Sequence, residues 1–589
     1  MPNNDPDMNR TTAAIRTVPV LLLMFMLPSA AYSQDIIRVP PSAGDMTGRI
    51  QDAIDMAASY GGRPVVIELE AADYHISRGN SSRCLYHISN TASEVENPDQ
   101  TKHIGLWLKG LRNVTLDGRG ARLVTHGEMT SFVIDGCENI RFENLTVTSA
   151  DPTVPEMTVV EVDEDGFTAQ VNHCSDYVIA DGRFSFIGEG WTLSGGIAQL
   201  YDPQKDITWR SWSPLENAPE AEEAGRGLVR FRYPGGFSED LRPGLVFQMR
   251  DGIRDEVCGL IQYSRNVTFE NIHFAFLGNF GIVGQMSEDI TMRNLVFAPE
   301  AESGRTSAGF ADFVQMSGCK GRVLIEDSRF CGAHDDPVNI HGTHLAVTGF
   351  TSPESMILRY MHHQTYGFQS FLPGDVIEFI DPHSLLPAGS GVVAEAVMLS
   401  PREIAVRFTG EVPGSVRNME ELVVENVTRT PEVVIRKNHF SRVPTRGVLV
   451  STRRKVVIED NVFFRMKMSA VLIADDARSW FESGMVRDVT VRGNEFVECG
   501  GPVILVAPEN DRDEGCVHKN ISVRDNVFRL ADRQAVSARS VDGLEVSGNV
   551  FISPEPVAGP EWLVRVSGCR NVVVEDNICV PGGVPDGGI

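Results

Sequence analysis

A short motif recurs through most of the chain and leaves few folds open to it. Each copy reads as a strand with alternating apolar residues, a turn closing on Asn, then a second short strand. Early copies occupy residues 139–145, 266–272 and 289–295. Later ones close on Asn438, Asn461, Asn494, Asn526, Asn549 and Asn577. Their spacings are 461 − 438 = 23, then 33, 32, 23 and 28 residues. A recurrence in the low twenties, stretched by loops, is one coil of a parallel β-helix. A lone coil cannot bury its inward face, so stacking builds the core. Asn tolerates left-handed backbone at a corner and can bond to the next coil, which gives these residues a structural role.

The predicted fold is therefore all-β: a right-handed parallel β-helix. Residues 34–150 form a cap and the first coils. An amphipathic helix there, with apolar Ile50, Ile54, Ala57 and Ala58, would plug the open end. Two stretches, 151–250 and 343–430, break the repeat and are too long for loops. Residues 241–249 and 372–379 share a Pro-Gly turn and an alternating strand, while 159–171 and 396–408 both read strand, turn, strand. Two small inserted antiparallel β-barrels are expected. Residues 251–342 form the solenoid stretch between them, and 431–589 the C-terminal coils.

Residues 1–33 read as a secretory signal: Arg10 and Arg16, an apolar run from Val18 to Leu27, and Ala31 and Ser33 at the −3 and −1 places. The run is too short to span a bilayer. The expected location is periplasmic or secreted. Lys and Arg total 53 against 79 Asp and Glu, a formal charge of −26, and loss of Asp5, Asp7, Arg10 and Arg16 leaves it unchanged. Such a balance excludes nucleic acid and disfavours anionic membranes or polyanionic sugars. The ten cysteines include no CxxC pair, so no zinc or iron–sulfur site is expected. Cys499–Cys516 and Cys569–Cys579 are disulfide candidates by proximity alone. Exposed inserts would offer surfaces for a homodimer.

The densest polar constellation runs from His334 through Asp335, Asp336, Asn339 and His341 to His344, just before the second insert. Adjacent carboxylates raise one another's pKa, which keeps one protonated near neutral pH; crowding favours Asp336 or Asp335 as that acid. An isolated Asp-Asp pair would equally suit a solvated turn or a calcium site. Asp312, however, lies among apolar residues where a strand is expected, and 336 − 312 = 24 is one coil. Coils stack about 4.8 Å apart, so Asp312 and Asp336 fall side by side, as glycoside hydrolysis requires. Trp480 and Glu482, on a longer loop, suit a sugar: indole stacks on its C–H face and carboxylate accepts from its hydroxyls.

Together these features resemble glycoside hydrolase family 110, bacterial exo-acting α-1,3-galactosidases. The likeness rests on residues 334–345, 311–313 and 480–484, and on a β-helix with two inserted barrels. It implies metal-independent hydrolysis with inversion and no cofactor, releasing terminal α-1,3-linked galactose, including from the blood-group B determinant. It also implies Asp312 and Asp336 as catalytic pair with Asp335 in support, and His334, Asn339, His341, Trp480 and Glu482 as substrate-binding residues. Phe481 departs from the family's pattern, where Tyr is expected. Two other readings remain: another polysaccharide-active β-helix enzyme (a lyase or endo-hydrolase), or a non-catalytic carbohydrate-binding solenoid.

Overall fold

The computed structural model describes residues 34–216, 219–237, 241–532 and 534–582. The signal-like segment 1–33 lies outside the described residues. Among them, no helix is long and apolar enough to cross a membrane.

The repeat folds into coils stacked in parallel. In one coil, strand Lys455–Glu459 is followed by Asp460 at φ +57° and then by strand Val462–Phe464. Lys437, Gly493, Asp525, Gly548 and Asp576 occupy the same place, also at positive φ. In these coils the left-handed corner thus belongs to the residue before the Asn, unlike the sequence expectation. Asn139, Asn144, Asn266 and Asn271 do adopt it in the earlier coils.

The later Asn side chains form a ladder, buried from Asn438 to Asn549 and half-buried at Asn577. Asn461 Nδ2 donates to Ile435 O at 2.9 Å and to Asn494 Oδ1 at 2.9 Å, while its backbone N–H donates to the same Oδ1 at 3.0 Å. Side-chain bonds of this kind link Asn438, Asn461, Asn494, Asn526, Asn549 and Asn577 in order. Every coil therefore satisfies its buried amide through the next one, which fixes the register. Beside the ladder, Phe297, Phe330, Phe440, Phe463, Phe496 and Phe528 stack with neighbouring ring centroids 4.7–5.2 Å apart.

Helix Thr47–Ser59 packs on this core through Ile50, Ala53, Ile54 and Ala57. Ala53 rather than Ala58 completes the buried stripe, and Ala58 is exposed. All ten cysteines are unpaired, so neither candidate disulfide forms. Cys499 is a buried apolar group whose thiol faces Phe463 O.

The inserts leave the coil register intact. Phe330 pairs with Phe440 across the second and Phe132 with Gly259 across the first. The first insert wraps a seven-stranded antiparallel sheet and a three-stranded one around one core that includes Phe167, Phe184, Phe231 and Phe247. The second closes six strands into a barrel. The Pro-Gly turns that precede Val246–Arg250 and Val376–Ile380 match in detail, with Gly244 and Gly374 both at φ +92°.

Candidate active site

One face of the solenoid carries parallel strands Phe280–Gln285, Val314–Ser317, Val338–Thr343 and Val448–Val450. Val314 pairs with Val338 and Ser317 with His341, an offset of 338 − 314 = 24. Asp312 and Asp336 each stand two residues before that pairing, at the same corner of successive coils. Asp312 thus lies in the bend ahead of its strand, not within it. The Phe313 N–H donates to Asp336 O at 3.3 Å, and the Val314 N–H to Pro337 O at 3.1 Å. One coil earlier, Gly281 makes the approach possible: a Cβ there would run into the backbone oxygens of Asp312 and Phe313.

The carboxyls of Asp312, Asp335 and Asp336 converge, with one oxygen of each within 4.8 Å of the others. Their partners differ. Arg446, one coil further on, gives Asp336 its backbone N–H at 3.1 Å, its Nε at 3.0 Å and its Nη2. Arg254, at the junction after the first insert, reaches Asp335 at 3.2 Å, and Arg210 of that insert reaches it at 3.4 Å. No hydrogen-bonded cation reaches Asp312 among the described residues. Burial raises the Asp312 carboxyl well above the usual carboxylate range, and the charges of Asp335 and Asp336 add to this while Arg254 opposes it. Burial also raises Asp336, against the pull of Arg446. Among the described residues these three carboxyls are the one group of acids, histidines or cysteines close enough to hold a cation, and guanidiniums already compete for Asp335 and Asp336.

These groups line a cavity of about 350 Å³ with Asn339, His341, Trp480 and Glu482. That is the low end for ligand pockets, about 300–1,000 Å³. Short strand Glu482–Ser483 folds back antiparallel on the end of Val338–Thr343, placing Glu482 3.4 Å from His341 Nε2. Gly342 lets it pack, since a Cβ there would strike Ser483 Oγ. Asp476 ties the preceding loop by accepting from the N–H groups of Arg478 at 2.8 Å, Ser479 at 2.9 Å and Trp480. Trp480 is left 45% exposed, with His362 of the second insert stacked on it at 4.6 Å.

His334 is the exception among the expected residues. It does not line the cavity, is wholly buried, and neither ring nitrogen has a hydrogen-bond partner among the described residues. Burial and then Arg250, Arg210 and Arg305 hold its pKa well below the ordinary value, so it is a neutral packing group behind Asp335.

Asn90, Arg254, Arg446 and Glu509 also line the cavity and were not anticipated, and Asp476 joins them from the acidic loop that carries Trp480 and Glu482. Arg446 carried a signal: 446 − 336 = 110, and removing the 88 residues of 343–430 leaves 22, one coil. Asn90 comes from the loop before strand Thr101–Lys109, where no repeat yet marks position.

Two family profiles match the inserts: GLAA-B beta-barrel domain I over residues 155–247 and GLAA-B beta-barrel domain II over 355–420. The chain is similar to alpha-1,3-galactosidase A of Bacteroides thetaiotaomicron, at 45% identity over 95% of this chain and 98% of the relative. It is 36% identical to alpha-1,3-galactosidase A of Bacteroides fragilis, over 95% of both chains. It is also 30% identical to alpha-1,3-galactosidase B of Bacteroides thetaiotaomicron, over 96% of this chain and 94% of the relative.

Proposed function

The chain belongs to the α-1,3-galactosidase family, and we propose that it hydrolyses terminal α-1,3-linked galactose from oligosaccharides and glycoconjugates. It acts on non-reducing ends, and the blood-group B determinant is among its substrates. The observation that carries this reading is the convergence of Asp312 with Asp335 and Asp336 at the base of a small cavity.

Glycosidic cleavage without a covalent intermediate needs one protonated and one ionised carboxyl. Asp312 is the proton donor. The crowding suggested for Asp335 and Asp336 falls hardest on Asp312, because guanidiniums pair with the other two and, among the described residues, none with it. Protonated Asp312 gives its proton to the glycosidic oxygen as the bond to the galactose anomeric carbon breaks. Asp336, with Asp335 beside it, takes a proton from the attacking water; inversion is carried by the family likeness, since carboxyl oxygens within 4.8 Å of one another are closer than the about 6.5–9.5 Å usual for inverting enzymes. Asn339, His341, Glu482 and Trp480 hold the sugar's hydroxyls and its C–H face. Asp476, Glu482 and Glu509 add negative charge to the walls, so a polyuronate, the substrate of many β-helix lyases, is repelled.

Export is part of the proposal, and N-terminal sequencing of protein recovered outside the cytoplasm then reads from Gln34. The reaction itself is tested by following hydrolysis of a linear and a fucosylated, branched α-1,3-galactoside by NMR. Galactose appearing first as the β anomer supports inversion, and first appearance as α overturns it. Chelator-sensitive activity with unsaturated products would instead mark a lyase.

A further inference from the structure

Arg402 touches none of the cavity-lining groups at the catalytic end, yet it gathers two segments that reach that cavity. It sits in the turn between strands Pro387–Ser400 and Glu403–Phe408 of the second insert. Its Nε donates to Glu94 Oε1 at 3.1 Å and its Nη2 to Glu94 Oε2 at 2.6 Å, a two-pronged grip on the loop before strand Thr101–Lys109. The same guanidinium donates through Nη1 to His362 O at 2.9 Å and through Nη2 to His363 O at 2.8 Å. Its carbon lies 3.8 Å from the centroid of the Tyr366 ring. Nearly every donor direction of the planar fork is therefore in use, on two segments far apart in sequence.

Each gripped segment delivers a group to the rim of the cavity. His362 stacks on Trp480 at 4.6 Å with the rings 29° apart. Burial and neighbouring His363 lower the His362 pKa to about 4, so an uncharged ring backs the indole at neutral pH. The loop carrying Glu94 also carries Asn90. Thr365 Oγ1 donates to Asn90 Oδ1 at 3.1 Å, and Asn90 Nδ2 donates to Glu482 Oε1 at 3.3 Å. Gln364 Nε2 bonds to Glu96 Oε1 at 2.9 Å alongside. Two routes thus run from Arg402, one through His362 to Trp480 and one through the gripped segments, where Thr365 bonds to Asn90 and Asn90 to Glu482.

We propose that Arg402 is a positioning residue for sugar recognition, clasping the second insert to the 86–100 loop so that Trp480 and Glu482 are held in place. The inserted barrel then completes the rim of the pocket. The proposal rests on the galactosidase reading in so far as Trp480 and Glu482 contact the sugar. The catalytic carboxyls are braced separately, by Arg446 and Arg254. Loosening the clasp therefore weakens binding and leaves proton transfer in place. Lysine cannot replace the clasp, because one ammonium cannot span a carboxylate and two carbonyls in a fixed plane.

The test compares wild type with Arg402→Lys, and with Glu94→Gln, which opens the same clasp from a half-exposed side chain. With an α-1,3-galactosyl oligosaccharide, both variants raise KM, Arg402→Lys by about tenfold, with kcat within about twofold. Acrylamide quenching of Trp480, taken as the difference between each protein and its Trp480→Phe counterpart, increases in both. In a Trp480→Ala, Glu482→Gln background Arg402→Lys has no further effect, since a residue acting through others is not additive with them. Unchanged KM with unchanged quenching overturns the clasp, as does a loss confined to kcat or a fully additive effect. If wild type releases no galactose while the quenching still responds, the galactosidase reading fails and the clasp stands.

Discussion

Asp312 and Asp336 occupy the same corner of two successive coils, joined by the Phe313 N–H donated to Asp336 O at 3.3 Å. The strands that follow them are in parallel register, and that register alone brings two residues 24 apart in sequence to one point. Their surroundings then separate them. Asp336 is gripped by Arg446, whereas Asp312 is buried with no hydrogen-bonded cation among the described residues. Burial raises both carboxyls, and among the described residues Asp336 alone has a hydrogen-bonded guanidinium to oppose it.

This difference has a consequence for stability. The folded-state pKa of Asp312 lies above the unfolded value of about 3.9, so folding opposes its ionisation. The resulting penalty is absent below that value and grows as pH rises toward the folded pKa. Asp312→Asn removes the penalty, and its Tm at pH 8 should exceed wild type by about 2 °C or more. At pH 3.5 the two proteins should melt together. Scanning calorimetry at the two pH values decides it, and equal Tm values at pH 8 would contradict the assignment.

Removing Arg446 acts in the opposite direction. Arg446→Met leaves the Asp336 carboxylate buried without its guanidinium, a change that costs about 3–5 kcal/mol for a fully buried pair. Arg446 keeps 29% of its side chain exposed, so about 3 kcal/mol is expected. Urea unfolding measures this, with turnover followed in parallel. A variant as stable and active as wild type would show that the pair neither supports the fold nor sets the base.

Gly281 tests how finely the corner is placed. In Gly281→Ala the new methyl meets the backbone oxygens of Asp312 and Phe313, main-chain atoms of the bend that cannot swing aside as a side chain would, the second of them held by the Ile282 N–H at 2.9 Å. Shifting the carboxyl by a fraction of an ångström to an ångström is expected to lower kcat by about 10²-fold. Far-ultraviolet dichroism should remain that of wild type. Full activity in a folded Gly281→Ala protein would mean that the corner tolerates movement.

The Asn ladder should matter for stability and not for turnover. Asn494→Ala takes away the oxygen that accepts from the Asn461 backbone N–H and Nδ2, and removes one of the two donors to Asn526 Oδ1, all buried. The expected cost is about 1–3 kcal/mol, with kcat per folded molecule unchanged. A loss of kcat without a loss of stability would contradict a purely structural ladder.

How far the sequence can be read follows from where periodicity exists. Coil spacing alone placed Asp312 beside Asp336, because a solenoid converts sequence distance into a fixed stacking distance. It also marked Asn461 and its counterparts as structural, although the left-handed corner falls one residue earlier, on Asp460. Arg446 was hidden only by the intervening insert. Asn90 and Arg402 carried no such signal, since they reach the rim from a loop and a barrel turn whose placement depends on tertiary contacts. His334 misled for a related reason. Adjacency to Asp335 suggested a ligand for the sugar, but a neighbour at a bend can turn into the core, and His334 does.

The most direct measurement is galactose release from an α-1,3-galactoside by wild type, Asp312→Asn and Asp336→Asn, with substrate binding followed by calorimetry. Both variants should bind the substrate and lose turnover by at least about 10²-fold, and the alkaline limb of the pH–rate profile should vanish with Asp312. Full turnover in both variants with unchanged binding would contradict the two-carboxylate hydrolase.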